Sequence, residues 1–411
     1  MPRMNKRERS WVLYDVGNSA FVMFASTVAP IYYGGLLAEG ESVVVGWGYA
    51  ETIVSLIVAL LMPFLGSLAD YPKNKKKFFI GAAGTGVIAC SALSIPDEAK
   101  VFLIIYVIAA VGVNASMVFY DGFLTDATED ERFDSVSSKG YAWGYVGSLI
   151  PFLICIVLIF KGEVIGIDMT LATKISFIII ALWWALFALP LIFNVHQTHF
   201  KPKQEHMLAA TFKGLVHTVG RIVRDKRMLF FLLAFFCYID GVHTIIRMAT
   251  SYGTELGISS TDLIKALVLT QLIAFPSALV FGKLAGRVGT RIMLIVSVIA
   301  YALITLFAAF FLKGATEFWI LAVAVGLFQG GIQALSRSYF GKMVPKEHTN
   351  EYFGFFDIFG KYAAIIGTFM MAFFTDLTGN ASMGILSLAL LFILGLVFLI
   401  LMPRSDADKE K

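Results

Sequence analysis

Charge is what this chain most conspicuously lacks. Only 15% of its 411 residues are Asp, Glu, Lys or Arg, where a soluble domain carries about a quarter. The shortage is also uneven, because residues 78–96, 101–120, 175–193, 292–312 and 318–336 contain no charged residue at all. About 20 apolar residues cross the hydrocarbon core of a bilayer as a helix, so a soluble globular class is excluded. Cysteine is scarce as well. Cys90, Cys155 and Cys237 lie in three separate apolar stretches without ligand spacing, which excludes a disulfide framework and reads as buried free thiols. There is no phosphate loop with its lysine, no paired-histidine helix motif and no cysteine cluster. No enzyme, metal or other cofactor is therefore expected. The net charge of +4 is ordinary for a membrane protein with basic loops and gives no reason to invoke nucleic acid. The polar, basic first ten residues and the long apolar run after Trp11 do not make a cleavable leader.

What is present is apolar length. Hydrophobic residues make up 58% of the chain, with 37 phenylalanines. Twelve candidate transmembrane helices can be counted, at 12–37, 44–69, 78–95, 100–122, 140–160, 171–193, 228–252, 262–284, 291–312, 317–339, 351–375 and 381–402. The expected architecture is an all-α membrane protein of two pseudo-symmetric six-helix bundles, 1–193 and 228–411, joined by a polar, basic linker at 194–227. Putting the N-terminus in the cytoplasm places on that side Arg3, Lys6, Arg7, Arg9, the lysines of 73–77, the linker, Lys283, Arg287, Arg291, Lys342 and Lys346. The other side keeps little beyond Lys100, Lys161, Lys174, Lys265 and Lys313. That bias puts both termini in the cytoplasm. Within the linker, Met207, Leu208, Phe212, Leu215, Val216, Val219, Ile222 and Val223 recur at helical spacing, with Lys213, Arg221 and Arg224 on other faces. This pattern predicts an amphipathic helix on the membrane surface. His196, His199, His206 and His217 read as part of a solvated segment rather than a metal site.

Two loops support duplication. The stretch from Gly66 to Lys77 ends an apolar segment in a glycine, the acid Asp70 and a run of lysines. A worn copy follows in the second half, with Gly282, Arg287 and Arg291 kept and Gly286 where the acid would stand. Twelve spans, a central linker and this repeated loop resemble the major facilitator superfamily. Finer features resemble its vacuolar amino-acid effluxer (autophagy) family and the bacterial members. They are Trp11 to Phe21, Tyr120 to Asp126, Ser137 to Tyr145, Gly330 to Ser338, Pro345 to Glu347 and Glu351 to Phe356. The chain lacks long loop insertions, as a compact bacterial member would. The resemblance implies a monomeric carrier in a bacterial cytoplasmic membrane, with a small-molecule substrate, amino acids first.

Ionisable groups inside spans are functional candidates by default. Asp240, His243 and Arg247 are spaced by three and four on the seventh span and share one helical stripe. Asp240 falls near the middle of that span, the depth of substrate sites in such carriers. Asp240 and His243 can share a proton, and Arg247 can hold a substrate carboxylate through paired hydrogen bonds. An internally neutralised Asp240–Arg247 pair is the structural alternative. Gln329, Gln333 and Arg337 form a second stripe on the tenth span, the glutamines as solute ligands or interhelical contacts and Arg337 as a gate residue. Asn18 and Asn114 are further polar candidates for the solute. Asp15 is expected in the first turn of its helix, as a cap or gate partner. Asp121 and Asp126 read as gate residues, and Asp357 with Lys361 as a pair at helical spacing. By family analogy Gly66 and Asp70 latch the inner side, with Asp70 accepting hydrogen bonds from the start of the eleventh span. The resulting expectation is a proton-coupled secondary transporter of a small polar solute. The alternatives are an exporter of lipids, lysolipids or amphiphilic drugs, and a non-transporting sensor or scaffold.

Overall fold

The computed structural model describes residues 4–38, 43–202, 207–255, 258 and 260–403. The side chains at 43–45, 48, 207–214, 250–252, 254, 255, 260, 261, 264 and 361–365 lie outside that description. Among the described residues every helix or strand assigned is a helix. They are α1 Lys6–Leu36, α2 Val43–Ala69, α3 Asn74–Ala92, α4 Ala99–Gly122, α5 Leu124–Ala127, α6 Phe133–Lys161, α7 Met169–Asn194, α8 Met207–Arg224, α9 Lys226–Glu255, α10 Ser260–Val288, α11 Thr290–Phe311, α12 Ala315–Met343, α13 Thr349–Thr378 and α14 Ala381–Leu401. Ten are long and apolar enough to cross a membrane. The other two long helices are α3 and α13. α3 opens on Lys75, Lys76 and Lys77, and in α13 the stretch Ile366–Thr378, which follows the undescribed side chains of 361–365, is apolar.

Several helices start earlier than hydropathy predicts, because capping chemistry rather than apolarity sets the first turn. Asn5 and Glu8 form a reciprocal capping box with backbone N–H bonds of 2.8 Å each, so α1 begins at Lys6. Asp15 therefore stands in the third turn, and the expectation that it sits in the first turn is corrected. α6 begins at Phe133 instead of 140 and takes Asp134 into its first turn. α8 is a helix as the linker pattern predicts. Val216, Val219 and Val223 lie exposed along one side of it, and Ile222 is buried. The side chains of Met207, Leu208, Phe212 and Lys213, and all of His206, lie outside the described residues.

The chain divides into two compact units. Unit 1 comprises 1–129, 143–215 and 345–355, and unit 2 comprises 130–142, 216–344 and 356–411. In unit 1 the main pairs are α1 with α7, α2 with α4, α3 with α4 and α3 with α7. In unit 2 they are α9 with α14, α10 with α12, α11 with α12 and α11 with α14. The second set is the first repeated six spans later. One buried contact repeats with it. The Tyr14 hydroxyl bonds Ser116 at 2.5 Å between α1 and α4, and the Tyr238 hydroxyl bonds Ser336 at 2.6 Å between α9 and α12.

Unit 1 also shows why glycine is needed where helices touch. At the α3–α4 crossing a Cβ on Gly112 would lie 2.6 Å from the Gly86 Cα. Gly112→Val is therefore expected to destabilise the fold by about 1–3 kcal/mol, read as a lower unfolding temperature in detergent. Gly81→Ala, whose Cβ would meet no atom within 4 Å, should leave that temperature unchanged. Equal shifts for the two would disprove the packing account.

Candidate functional site

Unit 1 gathers its buried charges where α2 ends and α13 begins. The first N–H groups of a helix have no partner within it. At α13 they find Asp70, whose carboxylate accepts from the backbone N–H of Asn350 at 2.9 Å, from that of Glu351 at 2.9 Å and from the Asn350 amide at 2.6 Å. The contact needs bare backbone, since a Cβ on Gly66 would collide with the Asn350 carbonyl. Glu351 is buried here too and pairs with the ammonium of Lys201, while Ser67 donates to it at 2.9 Å. Lys201 is 8% exposed, donates to the Ser67 hydroxyl at 2.8 Å and lies 3.9 Å from Asp70. Burial pushes the Asp70 carboxyl up to about 6, against the pull of Lys201, Lys75 and the two backbone donors.

A second buried acid lies beside it. Asp126 meets Lys75 at 2.6 Å and accepts from the Thr198 N–H and hydroxyl, each at 2.7 Å, and from the His199 N–H at 3.2 Å. Burial raises this carboxyl, but Lys75, His199 and Thr198 outweigh it and hold Asp126 below the usual carboxylate range. The first residues of the linker are thus fastened to this end of unit 1, with the Lys201 N–H on the Asp70 carbonyl at 2.8 Å and Gln197 on the Ala69 carbonyl at 3.2 Å. Farther along α1 and α4, Asp15 is buried and accepts from the Tyr120 hydroxyl at 2.7 Å. Asn18 and Asn114 turn their amide N–H groups back to their own helices, onto the carbonyls of Tyr14 at 2.9 Å and Ala110 at 2.6 Å. Asp121 is half-buried at the end of α4.

Unit 2 holds a comparable network with the roles exchanged. Asp134, in the first turn of α6, accepts from Thr290 at 2.7 Å, Ser338 at 2.6 Å and Lys342 at 2.6 Å. Gly282 admits this approach, since a Cβ there would lie 2.7 Å from that of Ser138. Arg337 is 1% exposed, donates to the Ser137 hydroxyl at 2.9 Å and carbonyl at 3.0 Å, and stacks 4.3 Å over Tyr141.

The mid-span candidates of unit 2 are only partly brought together. Asp240 is fully buried, and both of its oxygens accept from the Gly367 N–H of α13, at 2.9 and 2.8 Å, with Thr244 at 3.3 Å. An N–H inside a helix ordinarily serves the carbonyl four residues back. A Cβ on Gly367 would lie 2.6 Å from an Asp240 oxygen. No lysine or arginine among the described residues pairs with Asp240. His243 is half-buried beside the Gly360 backbone, and Arg247 is exposed. The structure therefore separates the predicted trio into a buried acid, a half-buried imidazole and an open guanidinium. Gln329, 7% exposed, lines a cavity of about 60 Å³ with Gln271 and Thr270 between α9, α10 and α12. Gln333 is half-buried and does not line it. Asp357 is half-buried, and the side chain of Lys361 lies outside the described residues.

Sequence reasoning does not single out Lys201, Asn350, Gln271, Gly367 or Asp134 as site residues, and it weighs Glu351 only as a motif residue. Gln271 was accessible by the argument that found Gln329, a carboxamide within an apolar span. Nothing in the linker's composition separates Lys201 from its other basic residues.

Comparison with known proteins fits this geometry. Residues 31–411 match the family described as vacuole effluxer Atg22 like. An uncharacterized MFS-type transporter, YxiO of Bacillus subtilis, is 44% identical over 99% of this chain and 97% of its own. Autophagy-related protein 22 of Saccharomyces cerevisiae is 24% identical over 80% of this chain and 71% of its own. Among solved structures, the major facilitator transporter FucP in the outward conformation matches with a TM-score of 0.72 at 16% identity, covering 96% of this chain and 98% of that one. The proton:xylose symporter XylE matches with a TM-score of 0.72 at 10% identity, covering 97% and 94%. The fold is that of a major facilitator transporter, a multi-pass membrane protein and not an enzyme, and the chain belongs to the Atg22-like vacuole effluxer family.

Proposed function

We propose that the chain is a secondary active transporter that moves a small polar organic solute, amino acids first, by alternating access coupled to protons. The observation that carries the coupling is Asp240, a carboxylate buried halfway along α9 whose hydrogen-bond donors among the described residues are the neutral Gly367 and Thr244. An intramembrane acid whose bonded partners are neutral is suited to gain and lose a proton. Arg247, open two turns farther along the helix, is the proposed anchor for a substrate carboxylate, and His243 between them the second proton carrier. Gln329, with the newly found Gln271, supplies neutral hydrogen bonds. Two fold relatives, a fucose:proton symporter and the proton:xylose symporter, are consistent with proton coupling.

In this reading the halves 1–193 and 228–411 rock about the site. The Asp70 network is the cytoplasmic latch, Asp126, Asp121 and Asp15 brace it, and Arg337 with Asp134 forms the corresponding gate network of unit 2. Asp357 and Lys361 are gate residues of α13. Lys201, from the linker, belongs to the same latch as Asp70.

Three tests follow from these assignments. In proteoliposomes offered labelled amino acids, Asp240→Asn should abolish accumulation driven by a pH gradient while leaving solute exchange. Full gradient-driven uptake by this variant, or uptake of lysolipids alone, would overturn the assignment. Lys201→Met removes the ammonium from its buried pair with Glu351, beside which Ser67 and His348 remain, and breaking a buried pair costs about 3–5 kcal/mol. The latch should loosen, seen as faster hydrogen exchange at Asn350 and Glu351, and a second change, Glu351→Gln, should restore protection. Exchange unaltered in the single variant would remove Lys201 from the latch.

The third test is the pH dependence of the latch. The Asp70 carboxyl, raised to about 6 in the latched state from an ordinary 3.8, binds its proton more tightly there than in a released, solvated loop. Proton uptake therefore favours the latched state, and the ionisation penalty is present in full above about pH 7 and fades as pH falls toward 4. Protection of the Asn350 and Glu351 amides, corrected for intrinsic rates, should rise over that interval and should lose its pH dependence in Asp70→Asn. Protection that falls on acidification would contradict the assignment.

A further inference from the structure

We propose that unit 1 carries a binding site for an anionic glycerophospholipid in a groove between α2, α3 and α4. The groove encloses about 580 Å³. Leu61 of α2, Phe78 of α3 and Val111 of α4 form apolar walls, and Gly81, where a Cβ would meet nothing within 4 Å, leaves the floor open. Its charge lies at one end only, where Lys77 and the amide of Asn74 line the mouth at the start of α3.

Three features make this a lipid site and not a solute site. The first is the stripe on α3. Asn74, Lys77, Gly81 and Thr85 follow one another at intervals of three and four and so lie along one helix face. The groove runs from Asn74 to Thr85, about 16 Å at 1.5 Å per residue, close to half of a hydrocarbon core about 30 Å thick. That is the length of one leaflet, and so of one acyl chain. The second is the division of labour among the lysines. Lys75, fully buried, is committed to Asp126 and the Gly122 carbonyl. Lys77 is exposed and has no protein partner among the described residues. Its ammonium is free to meet a headgroup phosphate at the depth where headgroups lie. The third is the apolarity of the walls, which gives a free phosphate or a small polar solute nothing to bind beyond the mouth. A diacyl lipid with a negative headgroup satisfies both ends at once. This reading needs the membrane fold and the basic loop, and it is independent of which solute is transported.

The test uses the purified full-length protein and native mass spectrometry, with phosphatidylglycerol, phosphatidylcholine and glycerol phosphate as probes. The wild-type chain should retain phosphatidylglycerol over phosphatidylcholine by about fivefold, the worth of one lysine at an anionic surface, and glycerol phosphate should not displace the lipid. Lys77→Gln should remove the preference between headgroups while leaving chain binding. Gly81→Leu adds a side chain into open space, so it should fold as the wild type, fill the groove and lower the occupancy of both lipids. Equal retention of the two lipids by the wild type would overturn the headgroup assignment, and so would displacement by glycerol phosphate. Unchanged occupancy in Gly81→Leu, with its unfolding temperature preserved, would overturn the groove. All of these readouts are lipid occupancies, so an absence of solute flux bears on the transport reading and leaves this one standing.

Discussion

A helix that begins inside a protein leaves its first N–H groups without partners, and a carboxylate that is buried loses its water. In unit 1 each problem is the other's solution. Asp70 serves as a cap delivered through space, from the end of α2 to the start of α13. The rest of that region is arranged to permit it. Gly66 lets the two backbones approach, Lys201 answers the second acid Glu351, and Lys75 with the linker residues Thr198 and His199 settles Asp126. Unit 2 meets the same constraint with the acid on the other member. Asp134 belongs to the helix start, and Thr290, Ser338 and Lys342 come to it.

That exchange explains how far the sequence could be read. The spans, the duplicated loop and the paired glycines Gly66 and Gly282 were legible, because apolar length and a repeated turn are local signals. The absence of an acid at Gly286 looked like the loss of half of a symmetric device. The acid had instead moved to Asp134, a position 152 residues earlier in the chain than Gly286, and no local pattern connects the two. The Tyr14–Ser116 and Tyr238–Ser336 contacts were equally hidden. Tyrosine and serine within an apolar span carry no periodic signature, and their correspondence emerges only when both units are folded.

The site residues divide in the same way. Hydropathy alone treats every ionisable group in a span as exceptional, and it selected Asp240, Arg337 and Arg247 alike. Folding sorts them by their partners. Arg337 is engaged by Ser137 and Tyr141, Arg247 stands open, and Asp240 rests on a backbone N–H of Gly367. A backbone donor has no residue identity, so that partner could not have been named beforehand. The spacing that placed Asp240, His243 and Arg247 on one stripe was sound as helix geometry. It did not tell which of them faces α13.

The anchoring of Val195 to Lys201 has a mechanical consequence. On paper the stretch between the sixth and seventh spans is a long, slack tether. With Lys201 fixed to Asp70 and Glu351, the anchored end stands only six positions before α8 begins at Met207, a contour of about 20 Å at full extension. Such a leash transmits tension. A pull on α8, whose valines lie open along one side, reaches the buried lysine within a few peptide units, so the surface helix and the charge cluster are coupled by chain length alone.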